Sequence, residues 1–296
     1  MKRAKPQPQR RSVPPQARRP LLVVDGDSFA HRAYHALPKN ILRDNGRPAG
    51  AILGFANRLL QLYRTEGPRA VLVGWDTLEA ATYRNDAFAD YQSGREFDDD
   101  LVELLALIPK FVAACGFANA KRAGYEADDF LAAAASAGER RGGAVLVASG
   151  DRDTFQLASA RTTILYPLRA VEMARIGPEQ VRERYGVEPK QVPDFIALRG
   201  DPSDKLPGAP GVGAQGAGAL LRRYGSLNAI LKAGRFARIA DDLRFYRAIA
   251  TMNKKAPLPS LSNQNPTFAK AATLARKWQL RQLAGRLEEM ARDPSL

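Results

Sequence analysis

Leu21-Leu22-Val23-Val24-Asp25 decides the fold. It is a continuous apolar run ending in a carboxylate. Two other stretches repeat that form. Ala70-Val71-Leu72-Val73 reaches Asp76 after Gly74-Trp75, and Ala144-Val145-Leu146-Val147-Ala148 reaches Asp151 and Asp153 after Ser149-Gly150. Unbroken rather than alternating apolarity suits a strand covered on both faces, as in a parallel sheet. Helical periodicity lies between them, over 50–63, 101–114 and 128–140. Strand and helix alternate, which predicts an α/β fold with a mostly parallel sheet flanked by helices. Ile164 to Tyr166 offers a further strand.

Strand signals stop after about Met173. Short helices are expected at 178–185, 189–199, 214–223, 226–232 and 241–252, then one or two amphipathic helices over 269–290. The reading is three regions: a basic tail over 1–20 without apolar periodicity, expected to be disordered; an α/β domain over 21–174; and an all-helical module over 175–296.

The net charge is +14, and seven of those positive charges sit in residues 1–20, so half the excess belongs to the rest of the chain. A polyanionic partner follows, most simply a nucleic acid. Cys115 is the one cysteine, which excludes a disulfide framework and argues against a Cys-based zinc site; it is expected to be a buried small hydrophobe. The only histidines are His31 and His35, too few for a His-rich metal site. No apolar run reaches the ~18 residues of a membrane span. A cytoplasmic protein with no membrane contact, acting as a monomer, is expected.

Parallel strands point one way, so Asp25, Asp76, Asp151 and Asp153 share the sheet edge where open α/β folds bind ligands. Gly124-Tyr125-Glu126-Ala127-Asp128-Asp129 opens the helix before the third strand, and Gly200-Asp201-Pro202-Ser203-Asp204 opens the helical module, where one helical turn puts Asp201 and Asp204 on one face. Singly, Asp128 and Asp129 read as helix caps and Asp201 as a turn starter. Nine acids together in a basic chain read differently. Like charges this dense need counter-ions, all-oxygen ligation selects Mg²⁺ or Mn²⁺, and nine carboxylates exceed one octahedral site, so two ions are expected.

Leu206-Pro207-Gly208-Ala209-Pro210-Gly211-Val212-Gly213 precedes the helix at 214, an arrangement able to approach a phosphate through backbone N–H groups. Between strand two and the next helix, about 77–100, Thr82-Tyr83-Arg84, Tyr91, Arg95 and Phe97 interleave aromatics with cations, as suits a single strand of nucleic acid.

These motifs resemble the bacterial and phage 5′ nucleases of the flap endonuclease superfamily, such as the 5′–3′ exonuclease domain of DNA polymerase I. The resemblance runs from about Leu21 to Leu261. It is carried by Val24-Asp25-Gly26 with Arg32-Ala33-Tyr34-His35-Ala36-Leu37, by Gly74-Trp75-Asp76 with Thr82-Tyr83-Arg84, and by the Glu126, Asp151 and Asp201 motifs, the second with Gln156-Leu157. It implies a PIN-like core, a helical arch over about 77–100 and a helix-hairpin-helix over about 206–223. It implies metal ligation by Asp25, Asp76, Glu126, Asp128 and, through water, Asp129 at one site, and by Asp151, Asp153, Asp201 and Asp204 at a second. It places Arg32 near the scissile phosphate, counts Arg32 and Arg84 with the acids as catalytic, assigns Tyr83, Arg84, Tyr91, Gln92 and Arg95 to DNA contact in the arch, and gives Gly208, Gly211, Val212 and Gly213 a duplex grip around a K⁺ ion. Gln92 stands where the family usually has lysine, Lys205 where it has asparagine, Gln215-Gly216 where it has Lys-Thr, and Asn85-Asp86 where it has His-Glu.

The implied activity is metal-dependent hydrolysis of DNA phosphodiesters at 5′ ends or flaps, in replication and repair. No polymerase-type segment follows, so a stand-alone nuclease is expected. The alternatives are a catalytically weak or inactive DNA-binding homologue and a PIN-like ribonuclease.

Overall fold

The computed structural model describes residues 19–38, 40–43, 45–77, 80–88, 91, 98–168 and 172–293. Gln92, Arg95 and Phe97, and nearly all of the basic tail, lie outside them.

Six strands form one sheet: β1 (Leu21–Asp25), β2 (Ala70–Gly74), β3 (Ala118–Ala120), β4 (Val145–Ala148), β5 (Thr162–Pro167) and β6 (Met173–Ile176). Their order is β3-β2-β1-β4-β5-β6, all parallel except β6, which pairs antiparallel with β5. The order reverses between β1 and β4, the switch point at which open α/β sheets form a crevice.

The sheet is buried on both faces, as the apolar runs predict. Leu21, Val23, Ala70, Leu72, Val145 and Val147 face one core, while Leu22, Val24, Val71, Val73, Leu146 and Ala148 face the other. Helix α5 (Ala127–Arg140) covers the first face, together with α6 (Pro178–Tyr185), α7 (Val192–Arg199), α8 (Ala214–Tyr224), α9 (Leu227–Lys232) and α10 (Ala240–Ala250). The second face is covered by α1 (Gly26–Ala36), α2 (Gly50–Glu66), α4 (Asp99–Ala114), α11 (Phe268–Lys277) and α12 (Arg281–Arg292); the short α3 (Tyr83–Ala87) lies between β2 and α4.

Several details depart from the sequence reading. The boundary expected at 174/175 falls inside β6. Helices α11 and α12 pack on α4 and α2, on the α/β layer rather than on the helical module. The two helices are separate because Gln279 takes a left-handed turn, φ +58°, between them. Strand β3, Ala-Asn-Ala, carries none of the β-branched signal that marks its neighbours. Trp278 and Cys115 are buried in the second core, and burial pushes the Cys115 thiol up. No helix among the described residues is long and apolar enough to cross a membrane.

Candidate active site

A cleft of about 690 Å³ opens over the C-terminal edge of the sheet. Asp25, Asp76, Glu126, Asp128, Asp151, Asp153, Asp201 and Asp204 line it, together with Asp27. Eight of the nine expected acids therefore meet at one place.

Local structure fixes each one. Asp25 ends β1 and caps α1: its Oδ1 accepts the Ser28 N–H at 2.9 Å, and its Oδ2 accepts the Ser149 hydroxyl at 2.6 Å across the switch point. Gly26 must be glycine, because a Cβ there meets the Trp75 ring at 2.5 Å. Asp76 follows β2, and its Oδ1 accepts Ala127 N–H at 2.7 Å, tying it to the start of α5. The Ser149 hydroxyl also accepts Asp151 N–H (3.0 Å), and Asp151 Oδ1 accepts Asp153 N–H (2.9 Å), so the loop after β4 is held in a ladder of short polar contacts. Gly150 leaves room for the exposed Arg32, whose guanidinium lies 2.5 Å from where a Cβ would stand; this sets Arg32 beside the loop that carries Asp151.

Asp201 and Asp204 reach the cleft without the helical turn the spacing suggested. Residues 201–206 form a tight turn closed by a pair of backbone bonds between Asp201 and Leu206, both 2.8 Å. Gly200 (φ +81°) and Gly208 (φ +74°) interlock at its base: a Cβ on Gly208 would stand 2.4 Å from Gly200 N. Gly208 is buried there, where it closes this turn. Gly211 and Gly213 are exposed with nothing within 4 Å of their Cβ positions, and Val212 packs inward.

Asp129 is the ninth acid, and the structure turns it away from the cleft. It is fully buried as the third residue of a helix capping box, its Oδ2 accepting Glu126 N–H at 3.2 Å. Arg84 Nη2, Tyr83 OH and Asn253 N also donate to its Oδ1, at 2.9, 3.2 and 2.9 Å. Both of its oxygens are engaged inside the protein, and it does not line the cleft. Of the residues expected to contact DNA from the arch, Tyr83, Arg84 and Tyr91 are described, and each bonds to Glu126 or Asp129. Arg84 is 3% exposed; it donates to Glu126 Oε2 and to Asp129, and its Nε donates to Ile249 O. Tyr91 is buried with its hydroxyl on Glu126 Oε2 at 3.1 Å, and the Tyr83 ring is covered by Arg84 at 4.7 Å. Arg84 and Tyr91 line the cleft.

The electrostatics are severe. Burial, with Asp76 and Asp151 facing it, pushes Asp25 up to about 7 against the Ser149 and Ser28 hydrogen bonds. Burial pushes Glu126 to about 7 despite Arg84. Burial and acidic neighbours hold Asp27, Asp128 and Asp153 well above the usual carboxylate range. A divalent cation suits such a donor set: oxygen ligands only, several charges, and a cleft that water enters. Among the described residues, however, no three acidic side chains already stand as a metal-holding group.

Asp27 and Arg199 had no part in the sequence reading. Asp27 sits two residues after Asp25 at the start of α1 and looks like one more turn residue. Arg199 stacks on Phe195 and pairs with Asp201 Oδ2 at 3.2 Å. His31 lines the cleft, and His35 lies outside it on the exposed side of α1.

Residues 20–186 match the family described as 5′-3′ exonuclease, N-terminal resolvase-like domain, and residues 187–276 its C-terminal SAM fold. The chain belongs to the 5′-3′ exonuclease family. It is 38% identical over 240 residues to DNA polymerase I of Mycobacterium bovis, covering 79% of this chain and 26% of that protein. With the thermostable DNA polymerase I of Thermus thermophilus it shares 41% over 213 residues, 72% of this chain and 25% of that one. The chain thus spans about a quarter of the length of these relatives. In fold it resembles the T5 D15 protein co-crystallised with metal ions (TM-score 0.67, 16% identity, 92% of this chain and 100% of that chain) and the catalytic core of Rad2 in complex with DNA substrate (TM-score 0.59, 13% identity, 94% and 93%). The mostly parallel sheet with its C-terminal helical module is the architecture the sequence predicts.

Proposed function

We propose that this chain is a metal-dependent, structure-specific 5′ nuclease that hydrolyses DNA phosphodiesters at 5′ ends or flaps. One observation carries the reading: acids from five separate segments meet in a single cleft at the sheet's switch point, within a chain of net charge +14. Basic surface attracts the phosphate backbone, while an acidic cleft repels it unless cations are bound.

Asp25, Asp76, Glu126 and Asp128 hold one Mg²⁺ or Mn²⁺, and Asp151, Asp153, Asp201 and Asp204 hold a second. Bound there, such ions activate a water and stabilise the leaving oxygen. The chain's own groups do the rest. Ser149 and Ser28 orient Asp25. Arg32, exposed beside Gly150, takes a phosphate oxygen at the rim of the cleft. The exposed backbone of Gly211 and Gly213, ahead of α8, grips the duplex without reading its sequence, with K⁺ at its carbonyls as in a helix-hairpin-helix. The working unit is a monomer, and Gln92 and Arg95 contact DNA.

The test is a 5′-flap duplex incubated with the protein and Mg²⁺ or Mn²⁺. The expected result is cleavage near the junction, leaving a 5′-phosphate on the retained strand. No cleavage with either ion overturns the proposal. An RNA flap of the same geometry, cut faster than the DNA flap, replaces it with the ribonuclease reading.

A further inference from the structure

Asp27 is a carboxylate outside the set the sequence singled out, and it is nearly buried, 8% exposed, at the edge of the cleft. Placing another acid beside Asp25 and Asp76 adds repulsion to a crowded pocket, so its retention there calls for a compensating contact. That contact is visible. Asp27 Oδ2 accepts the backbone N–H of Asp76 at 2.7 Å.

Asp76 needs such a hold. It lies past the end of β2, where the ladder no longer fixes the main chain. Its side chain is tied by Oδ1 to Ala127 N–H, and the preceding Trp75 is anchored by its ring against Gly26 and by Nε1 to Asn119 Oδ1 at 2.7 Å. The Asp27 bond is the strap from α1 to the main chain of Asp76. We propose that Asp27 is a positioning residue, which presents Asp76 to the cation pocket by accepting its backbone N–H. This inference rests on the metal-dependent reading above.

The experiment is Mn²⁺ binding to the full chain without DNA, by electron paramagnetic resonance or calorimetry, for wild type, Asp27→Ala and Asp27→Asn. Asparagine keeps an acceptor oxygen for the Asp76 N–H but lacks the charge; alanine keeps neither. The expected result is a roughly 10–100-fold weaker affinity in Asp27→Ala, the usual cost of an outer-sphere partner, with Asp27→Asn within about threefold of wild type. Two results overturn the inference alone: unchanged affinity in folded Asp27→Ala, or a loss in folded Asp27→Asn as large as that in Asp27→Ala, which makes the charge rather than the strap decisive. If Asp27→Ala fails to fold by circular dichroism, Asp27→Asn decides on its own: wild-type affinity supports the strap, and a tenfold loss overturns it. A wild-type protein that takes up no Mn²⁺ overturns the metal reading, and the strap with it.

Discussion

Carboxylates within one wall of this molecule are treated in opposite ways. Asp129, outside the cleft, receives a cation from the chain itself: Arg84, buried with it, donates at 2.9 Å and also reaches Glu126 at the cleft's edge. Asp25, a strand away, takes its hydrogen bonds from the uncharged Ser28 N–H and Ser149 hydroxyl while facing Asp76 and Asp151. A permanent guanidinium suits a place where the fold must not change. An exchangeable cation suits a place where chemistry happens, because it can also meet a phosphate and a water. The contrast separates structural acids from working ones more sharply than acid content does.

The largest effect expected from this contrast is on activity. Asp151→Ala should lower single-turnover flap cleavage by more than the roughly 100-fold typical of outer-sphere partners, and equal turnover in mutant and parent would favour an inactive DNA-binding homologue. Metal-free stability in denaturant should hold or rise in the same variant, since one of several repelling charges is gone.

Next in size is the reverse experiment. Arg84→Met leaves Asp129 buried without its counter-ion, which should cost about 3–5 kcal/mol in chemical denaturation. A loss below about 1 kcal/mol would mean that Arg84 is not the fixed cation described here.

The pH dependence belongs to the acids of the cleft. Asp25 and Glu126 have folded-state values near 7, raised from 3.8 and 4.5, so folding favours their protonated forms. Their contribution to metal-free stability is present in full below about pH 4 and is lost as pH rises through 7. Thermal melts without metal should therefore show these carboxylates costing stability between pH 4 and 7, and Mg²⁺ should raise the melting temperature more at pH 8 than at pH 5.5. An Mg²⁺ effect independent of pH would contradict the assignment. The smallest effect belongs to the hairpin. Gly211 has φ +75° with open space around it, so Gly211→Ala should cost about 1 kcal/mol of strain and weaken duplex binding modestly without changing cleavage of bound DNA.

Much of this was legible in the sequence because the signals are local. Three apolar runs ending in acids gave β1, β2 and β4 and the shared edge with Asp25, Asp76, Asp151 and Asp153 on it, while Glu126, Asp128, Asp201 and Asp204 came from motifs of their own. What escaped is non-local or doubly readable. Arg84 pairs with residues more than 40 positions away, so its aromatic-cationic setting read as a DNA contact. Asp129 has the sequence of a ligand and the geometry of a capping box, and its pairing with the buried Arg84 could not be read from the chain. Asp27 was hidden by its neighbour, since Asp25-Gly26-Asp27 reads as one strand end followed by a turn. Strand β6 lies at the sheet edge, where four residues of mixed burial carry little signal.

The most direct measurement is anomalous scattering from crystals of the full chain grown or soaked with Mn²⁺. Peaks within coordination distance of Asp25, Asp76, Glu126 and Asp128 and of Asp151, Asp153, Asp201 and Asp204, and none directly on Asp129, are the predicted result. A cleft in which no ion binds, or an ion displacing Arg84 from Asp129, would contradict it.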